Sequence, residues 1–244
     1  MYNMHNMTIF PAIDIKGGEC VRLYQGKFDT AERVAESYMQ TALSFKAAGC
    51  EWIHMVDLDG SLAGQRVNQA IYLDVAQNSG LKVQLGGGIR TMDDIDFYLS
   101  HGISRVILGS VVLENPELVS QAIAKYGAEK IAIGIDAKQG KVATRGWLDV
   151  NDVDYIDLAR QMEQRGARYI IFTDIGRDGM LSGPNLEQLC ALRDAVSCNV
   201  TASGGVTNIG DIHALREAGL YGAICGRSIY AGTLDLKEAV HASI

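Results

Sequence analysis

With 244 residues, 48% of them hydrophobic and 21% charged, the chain has the size and composition of one globular domain, and a globule of this length buries roughly 70 to 75% of its unfolded surface. A net charge of −7 with dispersed lysines and arginines excludes a nucleic-acid surface, which needs clustered basic residues. No apolar run approaches the roughly 18 to 20 residues of a membrane helix, and the opening MYNMHNM lacks the basic start of a secretion signal, so a cytoplasmic protein is expected.

Short β-branched runs alternate along the chain with longer amphipathic stretches. Strands are expected at 8–13, 52–56, 82–85, 105–108, 131–135, 169–173, 199–202 and 222–225, with helices at 34–48, 68–77, 92–100, 116–125, 155–165, 186–195, 209–218 and 234–241. Eight strand-then-helix units in series predict an α/β protein of the (β/α)8 or TIM-barrel class, a closed parallel barrel with helices outside. An open doubly wound sheet is the competing arrangement, but no G-x-G-x-x-G follows the first strand. Three glycine-dotted stretches, 16–32, 137–152 and 175–185, are long enough to act as lids.

The sequence also contains itself twice. Leu85-Gly86-Gly87-Gly88-Ile89 returns as Ala202-Ser203-Gly204-Gly205-Val206 at a spacing of 117, and the same spacing relates Asp57 to Asp174, Asp94 to Asp211, Gly102 to Gly219 and Gly109 to Gly226. Asp14 and Asp136 correspond at 122, because the first long loop is five residues longer. Two duplicated half-barrels are expected, about 1–124 and 125–244, packed as one domain over 1–244, since either half alone leaves a four-stranded sheet with open edges.

In such a barrel the site lies where the strands end at the C-terminal face. Asp14 and Asp136 end the first and fifth strands. An aspartate there either caps a local turn or serves as acid or base, and the paired placement favours the second. Gly88 ends the third strand beside Gly109-Ser110 at the end of the fourth, and Gly205 ends the seventh beside Gly226-Arg227 at the end of the eighth. Glycine allows close backbone approach, so each group offers N–H donors to an anion. Two phosphate cradles with an aspartate pair between them imply an elongated small-molecule bisphosphate that reacts in its middle.

The long loops hold Arg22, Arg145, Arg177 and Asp178; each arginine either clamps phosphate or coats the surface. Trp147, beside Gly146 in a polar loop, is an odd core residue and is expected to stack on a planar heterocycle. The five histidines show no ligand spacing, so no metal is assigned, and His54 reads as a satisfied core or rim residue. Five cysteines without a C-x-x-C pair read as reduced structural thiols.

Pro11-Ala12-Ile13-Asp14-Ile15-Lys16-Gly17-Gly18, Val21-Arg22-Leu23, Gln25-Gly26, the 85–90 turn, Gly134-Ile135-Asp136, Arg145-Gly146-Trp147, and Thr173-Asp174 through Asp178-Gly179 to Gly183-Pro184-Asn185 resemble the phosphoribosylformimino-aminoimidazole carboxamide ribotide isomerases of histidine biosynthesis. The resemblance covers almost the whole chain. It implies a cofactor-free Amadori rearrangement of an aminoaldose bisphosphate to its aminoketose, with no obligate protein partner. It places the proton acceptor on Asp14, the donor on Asp136 with Asp178 as rival, and a substrate contact on Thr173. Gly18 departs from the family, where many relatives have Asp. The nearest rivals are a dual-substrate relative that also isomerises phosphoribosylanthranilate and the cyclase subunit of imidazole glycerol phosphate synthase. Against the cyclase stand Pro11-Ala12 and Arg22, and against a non-catalytic phosphate-binding barrel stands the set of Asp14, Asp136, Thr173 and Asp178.

Overall fold

The computed structural model of the chain describes residues 6–144 and 146–244; Arg145 and the opening stretch with His5 lie outside the described residues. In chain order the strands are β1 (Thr8–Lys16), β2 (Glu19–Tyr24), β3 (Lys27–Ala35), β4 (Trp52–Asp57), β5 (Lys82–Gly86), β6 (Arg105–Leu108), β7 (Ile131–Lys138), β8 (Lys141–Thr144), β9 (Asp149–Asp154), β10 (Tyr169–Asp174), β11 (Asn199–Ser203) and β12 (Gly222–Cys225). The main helices are α1 (Tyr38–Ala47), α2 (Leu58–Ala63), α3 (Gln69–Asn78), α4 (Met92–Ser100), α5 (Val111–Glu114), α6 (Glu117–Tyr126), α7 (Tyr155–Gln164), α8 (Leu186–Ala195), α9 (Ile209–Glu217), α10 (Arg227–Tyr230) and α11 (Leu236–Ala242).

Strands β10, β11, β12, β1, β4, β5, β6 and β7 pair in parallel in that order, and β7 closes on β10. This is the closed (β/α)8 barrel predicted by the strand-then-helix alternation. Because successive strand residues point to opposite faces, each barrel strand splits its side chains between two cores. Ile9, Ile13 and Ile15 of β1 or Ile131, Ile133 and Ile135 of β7 face the helix layer. Phe10, Ala12, Ile107, Ala132, Ile171 and Ile224 fill the barrel. At its N-terminal end Arg105, 3% exposed, lies between the rings of Trp52 and Tyr169, 4.6 and 3.7 Å from their centroids, and its Nε donates to the Glu129 carbonyl at 3.0 Å. The barrel is therefore filled below and open only above. All five cysteines are free.

Two of the stretches expected as loops are antiparallel hairpins. β2 folds back on β1 and carries β3, while β8 folds back on β7 and carries β9. Both reversals use two residues at positive φ, Gly17 and Gly18 at 58° and 79°, Gln139 and Gly140 at 52° and 78°, the geometry of a tight hairpin turn. Such a turn accepts glycine or an Asx residue equally, so Gly18 alters the residue without altering the fold. The helix expected from residue 34 starts later, because Val34 and Ala35 belong to β3, where Ala35 pairs with Cys20. Ser37 then caps α1 by accepting from the Gln40 N–H.

Candidate active site at the barrel mouth

Continuing the inward alternation past the filled core brings Asp14, Val56, Gly86, Gly109, Asp136, Thr173, Ser203 and Gly226 to the C-terminal rim, where all eight line one cleft of about 1470 Å³, its opening included. Asp178 and Trp147 reach into the same cleft from the loops after β10 and β8. The cleft also receives Gly88, Ser110, Gly205, Arg22 and Arg227, whereas Arg177 stays outside it and donates to the carbonyls of Ser182 and Gly183. Arg145 falls outside the described residues.

The three aspartates meet different surroundings. Asp14 accepts from Arg22 Nη1 at 2.6 Å, with both side chains largely buried. Burial pushes its carboxyl above the ordinary aspartate value and the Arg22 charge opposes that rise. Asp136 is also raised by burial, opposed by hydrogen bonds from Trp147 and from Thr173, its register partner on β10; the Trp147 Nε1 donates to Oδ2 at 2.7 Å. Asp178 is pushed up to about 6, first by burial and then by the charges of Asp14 and Asp136, with Arg22 opposing. Three carboxylates within mutual reach are thus kept from ionising together on equal terms. His54, hydrogen-bonded through Nδ1 to Gln84 at 3.2 Å, is pushed down to about 3 by burial and by Arg22, and stays neutral at working pH.

Backbone glycines build two opposed corners of the mouth. A Cβ on Gly88, at φ 77°, would sit 2.5 Å from the Gly60 carbonyl oxygen, and one on Gly205, at φ 86°, would sit 2.3 Å from that of Gly183. Only glycine fits, and its bare backbone borders the cleft. Behind each corner stands a helix with a complete capping box, Thr91 with Asp94 on α4 and Asn208 with Asp211 on α9. The Arg22 guanidinium lies directly on Gly226, whose Cβ would be 2.3 Å from Nη2, and Arg22 Nε is buried without a hydrogen-bond partner among the described residues. Arg22 therefore joins Asp14 to the Gly226 corner. Arg227 donates to the Gly179 carbonyl at 2.8 Å and lies 5.2 Å from the Tyr24 ring centroid.

Two residues that the sequence marks by the repeat spacing, without a role, shape the loops. Asp57 is fully buried and accepts from the backbone N–H groups of Gly60, Val67 and Asn68 and from Asn68 Nδ2, at 2.8 to 3.1 Å. Asp174 accepts from the Gly176 N–H at 2.9 Å and from Asn185 Nδ2 at 2.7 Å. Asn68 and Asn185 also stand 117 residues apart, so the repeat spacing was the signal that identifies them. Among the described residues no group of three or more His, Cys, Asp or Glu side chains is disposed to hold a metal, and no helix there is long and apolar enough to cross a membrane.

Fold and mouth together define a (β/α)8 barrel equipped for acid–base work on a small ligand. Residues 8–235 match the family described as histidine biosynthesis protein, and the chain belongs to that family. It is 49% identical over 237 residues to the 1-(5-phosphoribosyl)-5-((5-phosphoribosylamino)methylideneamino)imidazole-4-carboxamide isomerase of Clostridium novyi, covering 97% of this chain and 99% of the relative. It is 52% identical over 234 residues to the isomerase of the same name from Clostridium botulinum strain Okra, covering 96% of each. The isomerase of that name from Clostridium kluyveri is 50% identical over 234 residues, covering 96% of this chain and 98% of the relative.

Proposed function

We propose that the chain catalyses the reaction named for these relatives, the Amadori rearrangement of an N-linked aminoaldose bisphosphate to its aminoketose in histidine biosynthesis. The observation that carries the chemistry is the set of three buried carboxylates held in unequal environments between two glycine corners. In this reading Gly88 with Gly109-Ser110 receives one phosphate of the substrate, and Gly205 with Gly226-Arg227 receives the other. Remote binding at both ends then orients the reacting ribose between them. The matched corners, capping boxes and hairpins support reading the domain as two half-barrels, about 1–124 and 125–244.

Asp14 is the base. Its ion pair with Arg22 favours the ionised form, and the paired guanidinium also borders the Gly226 corner, so phosphate at that corner and the base share one cation. Asp178 is the acid best matched to neutral pH, because a carboxyl near 6 still holds a useful fraction of its protons there and gives them up readily. A proton from this acid to the furanose ring oxygen breaks the C1–O bond, and the nitrogen lone pair forms the C1=N bond of a Schiff base. Asp14 then takes the C2 proton, the C2–H electron pair forms the C1=C2 bond of an enolamine as the C1=N pair returns to nitrogen, and return of a proton to C1 with loss of the C2 hydroxyl proton leaves the C2 ketone. Asp136, whose rise on burial is opposed by hydrogen bonds from Trp147 and Thr173, is the second proton carrier of the mouth, available when its indole donor withdraws. Trp147, once withdrawn, presents a flat ring to the substrate's heterocycle.

The test is turnover of the aminoaldose bisphosphate by purified protein in a chelating buffer with no nicotinamide and no ammonia source. Ketose formation is expected. Product that appears only with a divalent ion or with ammonia would overturn the reading.

A further inference from the structure

The indole of Trp147 reaches Asp136 from an unusual backbone. Gly146 and Trp147 are successive residues at positive φ, 66° and 71°, and a bulky non-glycine residue keeps such a conformation only where its surroundings over-determine it. The neighbouring Leu148 is 69% exposed, whereas the Trp147 ring is turned inward. One restraint is the 2.7 Å hydrogen bond to Asp136. The other is Gly26, at the tip of the β2–β3 hairpin: a Cβ there would lie 2.0, 2.4 and 2.9 Å from Cε3, Cζ3 and Cδ2 of the indole. The six-membered ring rests on the bare Cα. Phe28, two residues on, meets Gly146 in the same way, at 3.2 Å from where its Cβ would stand. The hairpin tip is in turn fixed to the segment that bears Asp178, since Gln25 N donates to the Asp178 carbonyl at 3.2 Å and Gln25 Nε2 to that of Gly176 at 3.3 Å.

We propose that Gly26 is a positioning residue for Asp136: its bare Cα is the seat that holds the Trp147 indole on the carboxylate, so the tip of the first hairpin controls a proton carrier of the fifth strand. The seat joins the two candidate acids mechanically, because the Gln25-Gly26 tip touches the Asp178 backbone on one side and the Asp136 cap on the other. Its significance for turnover rests on the acid–base reading above; the contact itself does not. Among the described residues the charged groups that share the cleft with Asp136 are Asp14, Asp178, Arg22, Arg90 and Arg227, and none of these lies on the hairpin after β7. A change confined to Gly26 therefore reaches Asp136 through the indole.

The experiment follows the Trp147 indole N–H by nitrogen-15 NMR, with Trp147→Phe to assign it against Trp52. In the native chain the signal should titrate with Asp136 and shift in Asp136→Asn. Gly26→Asn keeps a residue that tolerates left-handed φ but places a Cβ on the ring, and should move the signal to the Asp136→Asn position. Gly18→Asn is the matched control, because Gly18 has φ 79° in the same hairpin and nothing within 4 Å of its Cβ position; the signal should stay. A native signal in Gly26→Asn, or an equal displacement in Gly18→Asn, overturns the proposal. In kinetics, Trp147→Phe removes the donor and should carry the pH limb of Asp136 to higher pH, and adding Gly26→Asn to it should move that limb no further. If the NMR response holds and no kinetic limb moves, the seat stands and Asp136 carries no proton in turnover.

Discussion

Asp178→Asn removes a carboxyl that burial in the mouth raises well above its ordinary value, which gives the sign and the rough size of the effect on stability. The carboxyl rises from 3.8 to about 6 on folding. At about 1.36 kcal/mol per pH unit, its ionisation costs the folded chain about 3 kcal/mol at pH 7, an upper value because water at the cleft opening screens part of it. Below pH 3.8 the group is protonated folded or unfolded and costs nothing; between 3.8 and 6 the folded state binds more protons, so stability falls as pH rises; above 6 the penalty is complete. Asparagine has the same shape and no charge. Urea unfolding at pH 7.5 should therefore show the variant more stable by up to about 3 kcal/mol, roughly 6–12 °C in Tm for a chain of this size, with the gain shrinking to about 0.5 kcal/mol at pH 4. Turnover should drop, since the variant has lost its acid, as expected where a site stores stability for function. A variant no more stable at pH 7.5, or equally stabilised at pH 4, would refute the ionisation argument.

Asp14→Asn preserves shape and the Arg22 contact but removes the base, so kcat should fall by at least about 10²-fold with KM little changed; near-normal kcat would move the base to another residue. Gly109→Ala adds a Cβ that meets nothing within 4 Å, so the urea midpoint should hold while KM rises and inorganic phosphate binds more weakly; unchanged KM would remove Gly109 from the cradle. Gly205→Ala puts a Cβ 2.3 Å from the Gly183 carbonyl oxygen at left-handed φ and should lose about 2 kcal/mol or more of stability in the same titration. Asp57→Ala leaves the donors on Gly60, Val67 and Asn68 without an acceptor and should cost about 3 kcal/mol, read as a lowered urea midpoint.

The barrel was legible because strand alternation and the 117-residue spacing are both local properties of the sequence. Period two sends Phe10 and Ala12 into the barrel and so sends Asp14 to its rim, and the same count carries Ala132 and Gly134 to Asp136. The hairpins were not legible: the segments after Gly18 and after Gly140 mix polar residues with apolar runs, Cys20-Val21 and Val142-Ala143, that are buried but too short to mark a strand. Missing the hairpins hid what they deliver. Arg22 reads as a phosphate clamp or a surface residue until the register that pairs Asp14 with Val21 brings its neighbour Arg22 within 2.6 Å of the carboxylate. Trp147 reads as a stacking platform until two left-handed residues turn it onto Asp136.

The chemistry of the mouth then lies where the two hairpins stop matching. Asp14 pairs with Val21 and Asp136 with Ala143, each seven residues on, so both aspartates receive the same backbone. Eight residues after Asp14 stands Arg22, whereas eight after Asp136 stands Thr144, and the partner that reaches back to Asp136 is Trp147, eleven residues on. A cation opposes the rise of one carboxylate by Coulomb attraction, while a neutral indole opposes that of the other by one hydrogen bond. In the proposed mechanism equivalent positions thereby become a standing base and a conditional acid. A strictly symmetric pair, with arginine at both places, would hold both carboxylates ionised and leave ring opening to Asp178 alone.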